Sequence, residues 1–386
     1  MARLGWKAFW ESGRTHCFVR RKYSKFNFCR KVKALLHPKF KLNGKVFPSA
    51  EGLKLYANRV SENGKNDEVA IGKFILEWLD ENDFITVKTS GSTGIPKEIK
   101  LQKNHVYNSA EATVNYFDLK ENTKALLCLS SEYIAGKMML VRAMIAGWNL
   151  YTIFPEKRPL ENSDENFDFT AMVPYQVFHS LAHLHRVKKL IVGGGAVSSE
   201  LEQQLQTVNT QVFATYGMTE TISHIAIRPI NGKDKSLIFS ALPKVNFSQN
   251  ESNCLQIHAP EISKEIVVTN DVVELISPTS FKFLGRIDNV INTGGAKVHP
   301  EIVEEKLSIH INQPFFIASE KDDALGERVI LIIESEKQLQ LEDFSQALQT
   351  LSVYEKPKKI YTTPQLIYTE TGKVKRTKVL KLLKPE

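Results

Sequence analysis

Apolar positions recur along this chain with two different periods. Residues 67–82 (DEVAIGKFILEWLDEN) place Ile71, Phe74, Ile75, Trp78 and Leu79 on one helical face, which predicts an amphipathic helix. FITVKT (84–89) alternates and is β-rich, so it reads as a strand, and Gly/Ser/Thr punctuation ends it. ALLCLS (125–130), NLYTIF (149–154), FTAMV (169–173), KKLIVGG (188–194) and QVFATYG (211–217) read as further short strands. AGKMMLVRAMIAG (135–147) reads as a buried helix. SSELEQQLQT (198–207) reads as a polar-faced helix with Ser198 or Ser199 as N-cap. Helices alternating with strands predict an α/β fold of layered sheets.

The pattern changes near residue 236. CLQIHAP, EIVVTND, VVELIS and FKFLGR are short strands separated by turns, and they predict a β-rich subdomain closing the large domain. After Arg286 comes a smaller α+β unit. It contains the helix PEIVEEKLSIHI, the strands FFIAS and RVILIIES, the helix LEDFSQALQTL and a Lys-rich tail. The expected organisation is a basic arm over 1–36, a large domain over 37–285 and a small mobile C-terminal lid over 286–386.

Composition changes this picture in one respect. The net charge of +8 suggests a nucleic-acid partner, but residues 1–36 hold ten Lys/Arg against one acid, Glu11. The rest of the chain carries 41 basic and 42 acidic residues, so the body is close to neutral and no nucleic-acid partner is expected for it. The arm interleaves aromatics such as Trp6, Phe9 and Trp10 with its charges and lacks the apolar core of a secretory signal. An extension, a membrane-surface anchor and a nucleic-acid contact all stay open for it. No apolar run approaches the ~18 residues of a membrane span, so no stable insertion is expected. Cys17, Cys29, Cys128 and Cys254 sit at neither metal nor redox spacing, consistent with free thiols in a cytoplasmic protein.

Candidate chemistry begins at residues 89–97, TSGSTGIPK. Gly91 and Gly94 permit unusual backbone geometry, Thr89, Ser90, Ser92 and Thr93 supply hydroxyls, and Lys97 adds a point charge. Such a loop can wrap anionic oxygens. It lacks the Lys-Ser/Thr pair of a Walker loop, and read alone it is also an ordinary Ser/Gly turn. Four further stations follow it: VGGGAV (192–197), YGMTET (216–221), VTND (268–271) with LGRIDNVINTGGAKVHPEIVEEKL (284–307), and ETGKVKR (370–376).

In this order the five stations resemble the adenylate-forming superfamily of acyl-CoA synthetases, peptide-synthetase adenylation domains and luciferase. They span residues 89 to 376. The resemblance implies that Thr89–Lys97 grips the β- and γ-phosphates of ATP. It further implies that Gly193, Gly194 and Gly195 admit the adenine, with Tyr216 and Gly217 flanking it. Thr219 meets the α-phosphate, and Glu220 is the Mg²⁺ ligand. Asp271 binds the ribose, Arg286 lies beside ribose and phosphate, and Asp288 is the hinge. Gly294 and Gly295 line the thiol tunnel, and Lys373 is the catalytic lysine. The implied activity is two-step: acyl-adenylate and pyrophosphate form first, then a thioester to CoA. Two departures stand out. The family's usual Thr-Gly-Asp reads Thr-Asn-Asp at 269–271, and the segment before the phosphate loop is short.

Within the superfamily the texture of IAGKMMLVRAMIAG, AMVPYQV, KKLIVGGGAVSS and YGMTETISHIAI is most similar to o-succinylbenzoate–CoA ligases of menaquinone biosynthesis, in a short form associated with Bacteroidetes. Many relatives carry a His where Tyr133 aligns. A substrate with two carboxylates needs a cation or donors for the non-reacting one. Lys137 and Arg142 lie in the relevant helix; Lys137 is taken as the substrate candidate, both can instead meet solvent or internal partners, and for Arg142 that reading is preferred. Ser223 and His224 are candidates for the acyl pocket, and His224 is equally readable as a core histidine. Another aryl- or acyl-CoA ligase is the enzymatic alternative, and a nucleotide-binding pseudoenzyme the non-enzymatic one. The expected partners are the acid, ATP and CoA, with a homodimer left open.

Overall fold

A computed structural model describes residues 35–88, 98–368 and 374–383. The basic arm through residue 34, the loop 89–97 and Lys373 therefore lie outside the described residues.

Thirteen strands join in one large sheet. Its first half is parallel. Lys41–Leu42, Asn149–Thr152, Lys124–Leu127, Phe167–Met172, Val187–Val192 and Gln211–Gly217 run side by side in one direction. Helices cover this half, as parallel strands joined by crossovers require. The second half reverses. Gln211–Gly217 pairs antiparallel with His224–Pro229, and the sheet continues antiparallel through Ile238–Ala241, Ser280–Arg286, Val267–Ser277, Cys254–His258 and Asn246–Gln249. The layered sheets and the β-rich subdomain expected from the sequence are thus two halves of one continuous sheet. EIVVTND and VVELIS, expected as two strands, form one, Val267–Ser277, which kinks at irregularities in its pairing with Ser280–Arg286.

Local chemistry accounts for the elements. Asn66–Leu79 is helical because Ile71, Phe74, Ile75 and Trp78 bury one face. It ends at Asp80, whose carboxylate accepts from the Asn82 backbone N–H (2.9 Å) and from Lys103 Nζ (2.7 Å). The helix Ala50–Asn63 escaped the periodicity because it buries only Leu53 and Ala57; Ser49 caps it by accepting from Gly52 N–H. Ser198 caps Ser199–Gln204 in the same way, and the last turn of that predicted helix tightens to 3₁₀ geometry over Leu205–Thr207.

Ile134–Ala146 is buried continuously from Gly136 to Met144, so its periodicity is hydrophobic all round. Gly136 lets its first turn press against the preceding chain. A Cβ built there would lie 2.2 Å from the Ser130 carbonyl oxygen.

A separate sheet follows Arg286. Ala296–Val298, Ile291–Thr293, Gly326–Glu334 and Phe315–Asp322 are antiparallel neighbours, and Lys359–Thr363 adds in parallel to Gly326–Glu334. The helix Pro300–Leu307 packs on one face through Val303 and Leu307, ending earlier than the PEIVEEKLSIHI pattern suggested. The C-terminal helix Arg376–Leu383 covers the other face through Val379. LEDFSQALQTL forms only a 3₁₀ turn, Leu341–Phe344, and one α-turn, Ser345–Leu348. Among the described residues no helix is long and apolar enough to cross a membrane.

Gly136→Ala reverses the usual helix rule. Alanine normally gains about 1 kcal/mol over glycine inside a helix, but the collision here is with fixed backbone, and overpacking costs roughly 1–3 kcal/mol. Urea unfolding is expected to show a destabilised variant; an unchanged or raised midpoint would mean that this contact yields easily.

Candidate active site

The sheet changes direction between Gln211–Gly217 and His224–Pro229. In open α/β sheets ligands bind in the crevice beyond the carboxyl ends of the parallel strands, and the link to His224–Pro229 leaves from one such end. The linking turn is tightly held. Gly217 faces His224 so closely that a Cβ would come within 2.3 Å of the Ser223 carbonyl oxygen. The buried Thr221 hydroxyl accepts from Met218 N–H (2.9 Å) and donates to backbone oxygen, to Ser223 O (2.9 Å) or Met218 O (3.0 Å). Ile222 sits at φ +66°, a conformation costly for a β-branched residue. Thr219 and Glu220 lie on the single 3₁₀ turn Thr219–Thr221, Thr219 half-buried and Glu220 exposed.

On one side of this turn stands Tyr216. Its ring packs on Phe281 (5.0 Å between centroids) and Phe239 (5.8 Å), contacts worth about 0.5–1.5 kcal/mol each beyond area burial. Its hydroxyl donates to Asp271 Oδ2 at 2.5 Å. Burial, then the Asp271 carboxylate, push the phenol far above its ordinary value, so it is a fixed donor. Asp271 is directly opposite Arg286 across two antiparallel strands. Arg286 spans two carboxylates, at 3.4 Å from Asp271 Oδ1 and 2.7 Å from Asp288 Oδ2. Asn270, the departure in Thr-Asn-Asp, donates to Asp288 Oδ2 at 3.4 Å. The structure therefore brings Tyr216, Asp271, Arg286 and Asp288 into one connected group.

Gly193, Gly194 and Gly195 form the turn after the neighbouring strand Val187–Val192. Gly193 needs its missing side chain, because a Cβ would meet Thr215 Oγ1 at 2.6 Å. Gly194 turns the chain at φ +80°. Gly294 and Gly295 form the hairpin turn between Ile291–Thr293 and Ala296–Val298 in the small sheet.

The loop 89–97 is outside the described residues, but its anchor points are not. Phe84–Lys88 and Glu98–Gln102 form an antiparallel ribbon with Lys88 paired to Glu98, so the two ends are held side by side. Val374, next to Lys373, bridges Tyr368.

On the other side of the turn lies a buried polar cluster. Arg142 is 2% exposed. Its guanidinium donates to Ser223 Oγ at 3.2 Å, its Nε has no partner, and no carboxylate pairs with it among the described residues. Burial lowers it to about 9. Ser223 Oγ also meets Ser109 Oγ (3.0 Å), and His224 Nε2 meets Thr113 Oγ1 (3.2 Å). Burial, then the Arg142 charge, hold His224 well below the usual imidazole range, so it is neutral.

Lys137 differs. Its Nζ donates to the Thr86 carbonyl (2.8 Å) and to Glu77 (3.2 Å) and lies 5.0 Å from the Phe74 ring centre. Its charge is met inside the fold, one of the readings the sequence left open for it. Tyr133 precedes that helix, 44% exposed. Ser109 and Thr113 were not anticipated. They sit one turn apart on the helix Lys103–Tyr116, on a buried stripe with Val106 and Ala110, and that spacing was the available signal.

The AMP-binding enzyme family matches residues 24–244. This chain belongs to that family. A crystal structure of an acyl-CoA synthetase (AMP-forming)/AMP-acid ligase II-like protein from Dyadobacter fermentans is 32% identical, covering 86% of this chain and 98% of that one, with a TM-score of 0.58. The 2-succinylbenzoate–CoA ligase of Salmonella typhimurium is 23% identical over 280 residues, 68% of this chain and 60% of its own length. That of Escherichia coli is 25% identical over 265 residues, 64% of this chain and 57% of its own. The chain thus spans about three fifths of the length of these curated relatives. The fold is shared with o-succinylbenzoate CoA synthetase of Bacillus subtilis, solved with its acyl-adenylate intermediate, at 18% identity and a TM-score of 0.65, over 76% of this chain and 68% of that one.

The Arg142 guanidinium, which no described carboxylate neutralises, has a measurable effect on stability. Below about pH 9 Arg142 is charged in both folded and unfolded chains, and the fold bears the full cost of burial. Between about 9 and its ordinary value the unfolded chain binds the extra proton, so stability from this group rises with pH. Arg142→Met is expected to stabilise the ligand-free protein by about 1–4 kcal/mol at pH 7.5, and the gain is expected to shrink at pH 10. Paired urea titrations read both; a destabilised variant would show that the charge is satisfied in the fold.

Proposed function

We propose that this chain is an ATP-dependent, AMP-forming acid–CoA ligase acting in the cytoplasm, with 2-succinylbenzoate as its acid. Family membership supports the reaction class. The observation that carries the choice of acid is Arg142, a buried cation that no carboxylate among the described residues pairs with, joined to Ser223 beside the turn between Gly217 and His224. A substrate with a second, unreacting carboxylate supplies the missing charge, and Ser223 and Ser109 offer hydroxyls to it.

In the first step a carboxylate oxygen of the acid attacks the α-phosphorus of ATP. The bond to the β-phosphate breaks and pyrophosphate leaves. Tyr216 and Gly193–Gly195 take the adenine, Asp271 the ribose hydroxyls, and Arg286 the adjoining phosphate. Asp271 already holds Tyr216 and Arg286 in place, so nucleotide enters a prearranged group. Thr219 and Lys373 stabilise charge at the α-phosphate, and Thr89–Lys97 hold the departing phosphates.

The exposed Glu220 would hold a Mg²⁺ ion together with phosphate oxygens of the nucleotide, since this ion is usually bound by few carboxylates plus substrate. When bound it neutralises phosphate charge. In the second step the thiol sulfur of CoA attacks the acyl carbon and AMP leaves. Here the small domain, 286–386, turns about Asp288 relative to 37–285, bringing Gly294 and Gly295 to the thiol.

Two measurements test this. Lys373→Ala is expected to lose pyrophosphate release while still converting supplied acyl-adenylate to thioester; equal loss of both half-reactions would remove Lys373 from the first step. A panel of acids with ATP, Mg²⁺ and CoA is expected to favour 2-succinylbenzoate. Arg142→Met is expected to raise its KM roughly ten- to hundredfold, with little effect on 4-oxo-4-phenylbutanoate, which lacks the ring carboxylate. Turnover of another acid without o-succinylbenzoyl-CoA would overturn the substrate and leave the reaction class.

A further inference from the structure

Two further parallel strands carry, at their carboxyl ends, an aromatic and basic surface with no part in the steps above. Phe167–Met172 leads through Val173 into the helix Pro174–Ser180, and Asn149–Thr152 leads into the loop 153–160. Buried Gln176 ties helix to loop, its Nε2 donating to the backbone oxygens of Glu156 (3.0 Å) and Cys128 (2.9 Å).

From the helix, Tyr175 and Phe178 stand in solvent at 58% and 43% exposure. The His179 ring meets both edge-on, with centroids 4.7 and 5.1 Å away. From the loop, Lys157 Nζ lies 5.6 Å from the centre of the Tyr175 ring, and Arg158 follows it. Desolvation, then the charges of Lys157 and Arg158, hold His179 below its ordinary value. Of the nearby acids, Glu161 pairs with Arg158 at 3.0 Å and Glu156 is exposed.

We propose that this patch holds the 3′-phosphorylated adenosine end of coenzyme A, with Tyr175 and Phe178 against the purine and Lys157 and Arg158 on the phosphates. This rests on the ligase reading above, which needs a second nucleotide-bearing substrate beside ATP. Aromatic faces interleaved with cations match a purine with phosphates. Place favours the same ligand. Pro174, next to Tyr175, lies against the Gly193–Gly195 turn, since a Cβ on Gly195 would be 3.7 Å from Pro174 Cγ. The patch thus borders the reaction crevice at its rim. The pantetheine arm of CoA separates nucleotide from thiol, so a rim site leaves the thiol free to reach inward. Exposed cations bind weakly one at a time, which suits a substrate exchanged at every turnover.

Adenosine 3′,5′-bisphosphate is the direct probe on the full chain. Saturable binding is expected by calorimetry, displaced by CoA and weakened roughly tenfold in the Lys157→Ala/Arg158→Ala double variant. Thioester formation is compared with CoA and dephospho-CoA, each variant normalised to its own pyrophosphate release with hydroxylamine as acceptor. The wild type is expected to prefer CoA, the double variant to lose that preference, and Tyr175→Ala to raise KM for both thiols. Retained bisphosphate affinity and retained preference in the double variant would overturn this site alone. A wild type that makes acyl-adenylate but no CoA thioester would overturn the ligase reading, and this site with it.

Discussion

The reversal of the large sheet between Gln211–Gly217 and His224–Pro229 is the constraint on which the rest of the site depends. Two strands must turn back on each other within six residues, and Gly217 and His224 approach too closely for any side chain at the first of them. The turn survives because Thr221 satisfies its own backbone and Ile222 accepts a left-handed conformation. One short segment thereby faces two chemistries. Tyr216 leads to Asp271 and Arg286 on one side, while Ser223 and His224 lead to Arg142, Ser109 and Thr113 on the other.

These two sides are built on opposite electrostatic terms. Around Asp271 every charge has a partner: a phenol, a guanidinium and, beyond it, Asp288. Around Arg142 the balance is incomplete. The cation is surrounded by hydroxyls and a neutral imidazole, and burial alone sets its acidity. A buried ion without a counterion costs several kcal/mol, a large fraction of the stability of an ordinary domain. Sites retain such costs where a ligand makes up the missing charge. Lys137, five residues earlier on the same helix, shows the contrast, because Glu77 and the Thr86 carbonyl accept from it.

The small sheet is joined to the large one through the same network. Arg286 ends the last strand to pair with Val267–Ser277 and immediately engages Asp288. The helix Pro300–Leu307 then sets Glu301 against Gly285 and accepts from Asn289 Nδ2 at 2.6 Å. Any rearrangement of the small sheet must break or turn these contacts, so its position and the Asp271–Arg286 group are mechanically linked.

Sequence by itself determined the elements with a strong period and the order of the chemical motifs. Ile71–Trp78 could only be one face of a helix, and the alternation of helix and strand up to Gly217 could only be an α/β layer. Tyr216, Thr219, Glu220, Asp271, Arg286 and Asp288 could be named as candidates because their neighbours in the chain carry the signature, and the fold connects four of them, Tyr216, Asp271, Arg286 and Asp288. Ala50–Asn63 and Lys103–Tyr116 were not legible, since the first buries only Leu53 and Ala57 and the second has a buried stripe in which Ser109 and Thr113 interrupt the apolar positions. That the β-rich part continues the same sheet is a matter of strand pairing between residues distant in sequence, which no local pattern encodes. The difference between Lys137 and Arg142 likewise appears only in three dimensions. Both are cations on one apolar helix, five residues apart, and what separates them is that Glu77 pairs with Lys137 while no carboxylate among the described residues pairs with Arg142.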